Sequence, residues 1–154
     1  SLNSSITFSD SSNVTNMAAM FSGCSSLNSS ITFSNTSNVT DIASMFRLCL
    51  VFNQPVSFST SNVTVMYQTF FGCTNFDQDI SSFRITNLTN ATGMLQNTAF
   101  STTNYDLLLA AWDAYGTSSV PFHAGTAQYS AGAPATAHAN MISRSWTITD
   151  GGPV

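Results

Sequence analysis

The feature that most constrains this chain is its periodicity. Asn13-Val14-Thr15 recurs as Asn38-Val39-Thr40, as Asn62-Val63-Thr64 and, with Leu in the middle, as Asn87-Leu88-Thr89, at spacings of 25, 24 and 25 residues. Other columns keep step: Cys24, Cys49, Cys73 and Thr98; Phe21, Phe46, Phe70 and Leu95; Met17, Ile42, Met66 and Ala91; Met20, Met45, Thr69 and Met94. Phe8, Phe33, Phe58 and Phe83 form another column, and Leu2, Leu27, Phe52 and Phe76 one more. Residues 1–9 are repeated unchanged as residues 26–34. A fixed period of this length is the signature of a stacked repeat, in which one copy cannot bury its apolar face alone and neighbouring copies bury it together.

Within one copy, Ile31-Thr32-Phe33 alternates with period two and reads as a short strand. The polar run from Ser34 to Asn38 reads as a turn. Val39, Ile42, Met45, Phe46 and Cys49 follow at helical spacing, with Asn38 or Thr40 as cap and Asp41 in the first turn. The expected fold is therefore an α/β repeat solenoid over residues 1–98. It has four repeats of 24–25 residues, the first truncated at its N-terminus.

After Phe100 the period stops, and residues 99–154 read as an α+β capping module. Ser101-Thr102-Thr103 offers a helix N-cap, and the stretch from Tyr105 to Tyr115 is amphipathic with Leu108, Leu109 and Trp112 inward. Val120-Pro121-Phe122 reads as a strand. The stretch from Ala133 to Ser143 reads as a helix opened by Pro134, and that from Trp146 to Thr149 as a second strand. Both Trp residues fall here, which suits the cover a repeat array needs at its end. The first repeat lacks its preceding half, so further repeats or a partner subunit are expected at the N-terminal end.

Composition excludes several functions. Only 6% of the residues are charged, and there are three Lys+Arg in all. No basic patch for phosphate neutralisation can be built from Arg47, Arg84 and Arg144, so no nucleic-acid partner is expected. Apolar runs are too short for membrane insertion. At 43% hydrophobic with 12 Phe the chain is far from the disordered regime. Ser, Thr and Asn stand where charges usually do, which favours an extracellular or cell-surface location.

The pattern Phe-x-x-Cys-x-x-Leu-x-x-x-Ile-x-Phe, then Asn-Val-Thr-x-Ile-x-x-Met-Phe-x-x-Cys, resembles the BspA-like leucine-rich-repeat bacterial surface proteins with their repeat of about 25 residues. Phe21, Cys24, Leu27, Ile31, Phe33, Asn38, Val39, Thr40, Met45, Phe46 and Cys49 carry the match, with their counterparts. Residues 104–112, 122–130 and 146–152 are similar to the module that closes such arrays. Phe33 stands where the family often has Trp. The fourth copy has Thr98 for Cys and one extra residue between Ile80 and Phe83. The resemblance implies leucine-rich-repeat-like coils and an adhesive or recognition role at a cell surface, without catalytic residues.

The candidate site is the outward row Thr7, Thr32, Ser57 and Ser82, which points away from its inward Ile and Phe neighbours. The partner expected there is a protein or carbohydrate on a host or neighbouring cell surface. The alternatives are the receptor-binding part of a phage tail fibre, located on the virion tail, and a structural, filament-forming or ice-binding solenoid. No enzyme chemistry, cofactor or metal is expected. The Cys column lacks zinc-site spacing and reads as packed thiols, with a disulfide between neighbours as the alternative. His123 and His138 read as structural residues, and Asp77 and Asp79 as turn acids before calcium ligands. Asn3, Asn13, Asn28, Asn35, Asn38, Asn62, Asn87 and Asn90 head glycosylation sequons.

Overall fold

The computed structural model describes residues 4–154. Leu2 of the Leu27 column and the sequon at Asn3 therefore lie outside the described residues. Equivalent residues of successive copies sit side by side. Asn16, Asp41, Val65 and Asn90 are joined in order by parallel bridges. Strands β1 (Ile6–Phe8) and β2 (Ile31–Phe33) pair in parallel, with Thr7 opposite Thr32.

The segment after each Asn-Val-Thr differs from the expected helix. Among the described residues up to 98 there is no α-helix. A run of reverse turns stands in its place, with its hydrogen bonds dealt out alternately. In the first run Met20, Ser22 and Cys24 donate locally, to Met17, Ala19 and Phe21. Met17, Ala19, Phe21 and Gly23 instead donate across, to the carbonyls of Asp41, Ala43, Met45 and Arg47 at 2.7–2.9 Å. A helix would spend all its N–H groups on its own axis, whereas this run gives half of them to the next copy. The same pattern joins the second run to the third and the third to the fourth. Each turn needs a left-handed residue. These recur every four positions: Ala19 and Gly23, Ser44 and Leu48, Gln68 and Gly72, Gly93 and Asn97. A four-residue turn period places apolar residues at i, i+3 and i+4 just as a helix does, so spacing alone does not separate the two.

The columns meet in the interior. Phe21 stacks on Phe46 and Phe46 on Phe70, at centroid distances of 5.4 and 5.5 Å. Phe8 and Phe33 stack at 4.9 Å, followed by Phe58 and Phe83 at tilted angles. Each fully buried Phe contributes about 1.5–3 kcal/mol by leaving water, and a ring pair about 0.5–1.5 more.

The C-terminal segment carries the stack on. Ser101 caps α1 (Thr102–Asp113), accepting from the Asn104 N–H, and Tyr105, Leu108, Leu109 and Trp112 are buried on its inner face. Strand β3 (Pro121–His123) takes the next place in the ladder, bridged to Ala91 through Phe122. Helix α2 (Ala133–Ser143) opens on Pro134, and β4 (Thr147–Thr149) pairs in parallel with β3. Gly125 is held tightly at this junction. Its φ is +71°, and a Cβ there would lie 2.7 Å from the Leu95 carbonyl. One core runs from Met17 through both segments to Trp146.

Candidate functional site

Several polar columns are consumed by stacking. In the Asn-Val-Thr motif the Asn38, Asn62 and Asn87 amides donate to the carbonyls of Ser12, Ser37 and Ser61 in the preceding copy. The Thr40, Thr64 and Thr89 hydroxyls donate likewise to Thr15, Thr40 and Thr64. The motif is thus a pair of inter-copy donors flanking a buried Val or Leu, and Asn38 and Thr40 are not helix caps. Each of these amides spends one N–H on the neighbouring copy while the residue itself stays exposed.

Two further columns were not legible beforehand. Ser11, Thr36 and Thr60 are buried hydroxyls, each bonding the backbone of the next copy: Asn35, Ser59 and Arg84. Asn28, Asn53 and Asp77 accept in turn from the N–H of Asn53, Asp77 and Ser101. Their equal spacing was the available signal, masked by the abundance of Ser and Asn elsewhere.

This places Asp77 and Asp79 differently from a calcium pair. Asp77 also receives the Asn104 amide, while Asp79 accepts from the Ser81 N–H. Burial pushes the Asp77 carboxyl up, but the bonds from Ser101 and Asn104 outweigh it and hold it below the usual carboxylate range. Among the described residues no group of three or more His, Cys, Asp or Glu is arranged to hold a metal ion.

The thiols are free. Cys49 and Cys73 are buried and donate to the carbonyls of Phe21 and Phe46 in the preceding copy. Burial, and secondarily the neighbouring thiol, pushes both up to about 12, which leaves little thiolate to react. Cys24 of the same column is exposed.

The histidines lie apart. His123 Nδ1 accepts the Gly125 N–H. His138 stacks on Tyr129 at 4.5 Å, and its Nε2 lies 3.1 Å from Asp150 Oδ2, which also accepts the Tyr105 hydroxyl at 2.7 Å. Burial, then Asp150, drives the Tyr105 hydroxyl far above its usual range. This cluster ties α1, α2 and the residue after β4 together. Arg144 bonds Asp113 across the same two helices.

The outward row is only partly a strand row. Thr7 and Thr32 are neighbours on β1 and β2. Ser57 lies outside any strand, and Ser82 sits in a turn closed by the Phe83 N–H on the Ile80 carbonyl, where the fourth copy has its extra residue. All four are exposed, and their hydroxyls make no hydrogen bond within the described residues. A second outward feature was not anticipated. The run surface of the third copy carries Val65, Tyr67 and Phe71, with Tyr67 39% exposed and Arg47 lying 5.4 Å over the Phe71 ring. The other copies have Asn, Asp, Ala, Thr, Ser or Gln at most of these positions.

A family model described as "Mycoplasma protein of unknown function, DUF285" matches residues 1–113. The chain belongs to this family. The matched region takes in the four turn runs, the whole outward row, and α1 up to its last residue, Asp113. It excludes both histidines. No curated protein and no solved structure matches the chain. Among the described residues no helix is long and apolar enough to cross a membrane.

Proposed function

We propose that the chain is a non-catalytic recognition module of an extracellular surface protein, built as a leucine-rich-repeat-like solenoid with a C-terminal cap. It takes a protein or glycan partner on the face carrying Thr7, Thr32, Ser57 and Ser82. The observation that supports this most is the division of labour among the polar columns. The Asn-Val-Thr amides and hydroxyls, the buried Ser11, Thr36 and Thr60 hydroxyls and the Asn28, Asn53 and Asp77 acceptors are spent on stacking, while this row is exposed and its hydroxyls are uncommitted. The parallel spacing of equivalent residues supports the solenoid reading, and the resemblance to BspA-like proteins supports the surface location. A row of exposed hydroxyls, two of them paired side by side on β1 and β2, offers hydrogen-bonding groups held by the backbone at little ordering cost on binding.

The test is a glycan array and a cell-adhesion assay with the labelled protein, its Thr32→Arg variant and its Tyr67→Ala variant. Thr32→Arg places a long charged side chain in the middle of the row and should reduce binding by about tenfold or more, the usual loss at a central contact. Tyr67→Ala should leave binding intact. The reverse pattern would move the site to the Tyr67 and Phe71 surface, and unchanged binding in both variants would remove the proposal.

A further inference from the structure

The outward face of the turn runs departs from its own repeat at one place. In the first and fourth copies the position of Arg47 and Phe71 holds Ser22 and Gln96, and that of Tyr67 holds Ala18 and Thr92. Leu50 and Val51 stand where the first copy has Ser25 and Ser26 and the third has Thr74 and Asn75. The ladder at this junction closes on backbone groups. Ser44 and Leu48 donate to the carbonyls of Tyr67 and Phe71, just as Ala19 and Gly23 donate to those of Ala43 and Arg47. Stacking therefore asks nothing of the large side chains, and the small and amide residues of the outer copies meet its needs equally well.

The departures fall on two adjacent copies and keep their working groups free. The Arg47 guanidinium lies 5.4 Å over the Phe71 ring. Tyr67 is 39% exposed, and Leu50 and Val51 are exposed at the next outward positions after Arg47. Among the described residues the Arg47 side chain makes no hydrogen bond and no ion pair, whereas Arg144 is held by Asp113. The acid of its own run, Asp41, is engaged by the Ala43 N–H and the Asn16 amide. The Tyr67 hydroxyl likewise makes no hydrogen bond among the described residues.

We infer that this face docks a segment of another protein that carries a carboxylate beside an apolar side chain. The carboxylate takes the Arg47 guanidinium, and the apolar group lies on Tyr67, Phe71 and the edge formed by Leu50 and Val51. Charge complementarity sets the first half of this. A guanidinium held against a ring is already ordered for the two parallel N–H bonds a carboxylate accepts. The second half rests on exposed aliphatic and aromatic groups gathered around it, with Tyr and Arg as the residue types that carry most binding energy at protein interfaces. A sugar fits less well, because hydroxyls set against Leu50 and Val51 would find no partner there. A second copy of this chain also fits less well. All seven of its acids are Asp. Each already accepts a hydrogen bond within the chain. The face lies on the turn runs, apart from the row at Thr7 and Thr32, and its partner is independent of that row's.

The probes are short synthetic peptides with Asp or Glu beside Leu or Phe, immobilised as an array and matched by the same peptides with Gln or Lys in place of the acid. Arg47→Ser and Tyr67→Thr bring in residues that the first and fourth copies already carry at these positions, so the stack is kept. The full chain should bind the acidic set. Gln for the acid in the peptide, or Arg47→Ser or Tyr67→Thr in the protein, should each weaken binding by about tenfold or more. Arg47→Glu should move the preference to the Lys set, and Thr32→Arg should change none of this. Equal binding of the acidic and Gln sets, or binding of neither, would overturn the inference. So would binding of a sialic-acid or uronic-acid glycan that Arg47→Ser abolishes, with no peptide bound, since the occupant would then be an acidic sugar. Dimerisation of the chain alone in sedimentation velocity, abolished by Arg47→Glu, would overturn it in favour of a second copy.

Discussion

Replacing Thr60 by Val removes one oxygen from the interior and keeps nearly the same shape. Thr60 is 2% exposed, and its Oγ1 both accepts the Arg84 N–H at 2.7 Å and donates to the Arg84 carbonyl at 3.1 Å. The variant loses both bonds and strands two backbone groups of the next copy. Each bond contributes about 1 kcal/mol net, and a fully buried stranded group would add about 1–3 more. Arg84 is itself exposed, so water reaches part of what is stranded. The sum is about 2 kcal/mol. With a urea slope of about 2 kcal/mol/M the midpoint should fall by about 1 M. Thr36→Val removes the equivalent pair at Ser59 and should cost a similar amount. The double variant tests whether two adjacent junctions add. If the buried hydroxyls were mere packing, Val would be neutral or stabilising. A midpoint shift under about 0.2 M would therefore refute the reasoning.

Asn62→Ala should cost about 1 kcal/mol through loss of its 2.6 Å bond to the Ser37 carbonyl, while Asn13→Ala, in the same column at the open end, should change the urea midpoint little. Stability should fall on acidification partly through Asp77. Its folded value is depressed, so its contribution is present above the unfolded value and is lost as pH falls through the folded one. Asp77→Asn keeps an acceptor oxygen and should flatten that acid limb in urea titrations across pH. Val65→Asp sets a second carboxylate beside Asp41, its bridge partner. It should cost about 1–3 kcal/mol more than Val65→Asn, with the gap closing in high salt.

The apolar columns could be read from the chain because identity at a fixed spacing survives any choice of local backbone. Phe46, Phe70, Cys49 and Cys73 are buried side by side for that reason. The run geometry could not be read. Its signal was the left-handed positions, and only Gly23, Gly72 and Gly93 advertise them, while Ala19, Ser44, Leu48, Gln68 and Asn97 do not. Once stacking supplies cross-copy hydrogen bonds, those residues tolerate a conformation they would otherwise avoid. The Asn-Val-Thr motif was visible yet ambiguous, since Asn and Thr suit a cap and a ladder equally well. At the candidate site, alternation identified Thr7 and Thr32 as outward. Ser57 and Ser82 are exposed as well, but neither lies in a strand, so alternation gave their exposure without their backbone geometry.

Low charge follows from the same geometry. A column repeats its residue at about the parallel-strand spacing of 4.8 Å. Two like charges at that distance repel by about 1 kcal/mol in bulk water and about 3 at an effective dielectric near 20. A fully charged column pays this at every junction. Residues 1–98 carry Asp10, Asp41, Arg47, Asp77, Asp79 and Arg84, and no column holds two of the same sign. Asp10 and Arg84 share one, with Asn35 and Ser59 between them. Asp41 has Asn16 on one side, whose amide donates to it at 3.3 Å, and Val65 on the other. Arg47 has Phe71 beside it, where a ring face meets the cation. Hydroxyls and amides escape the penalty because each is donor and acceptor at once, so that identical neighbours bind instead of repelling. The Ser, Thr and Asn content therefore reports the stacking of copies. A ligand's chemistry must be sought in the positions that stacking leaves unspent.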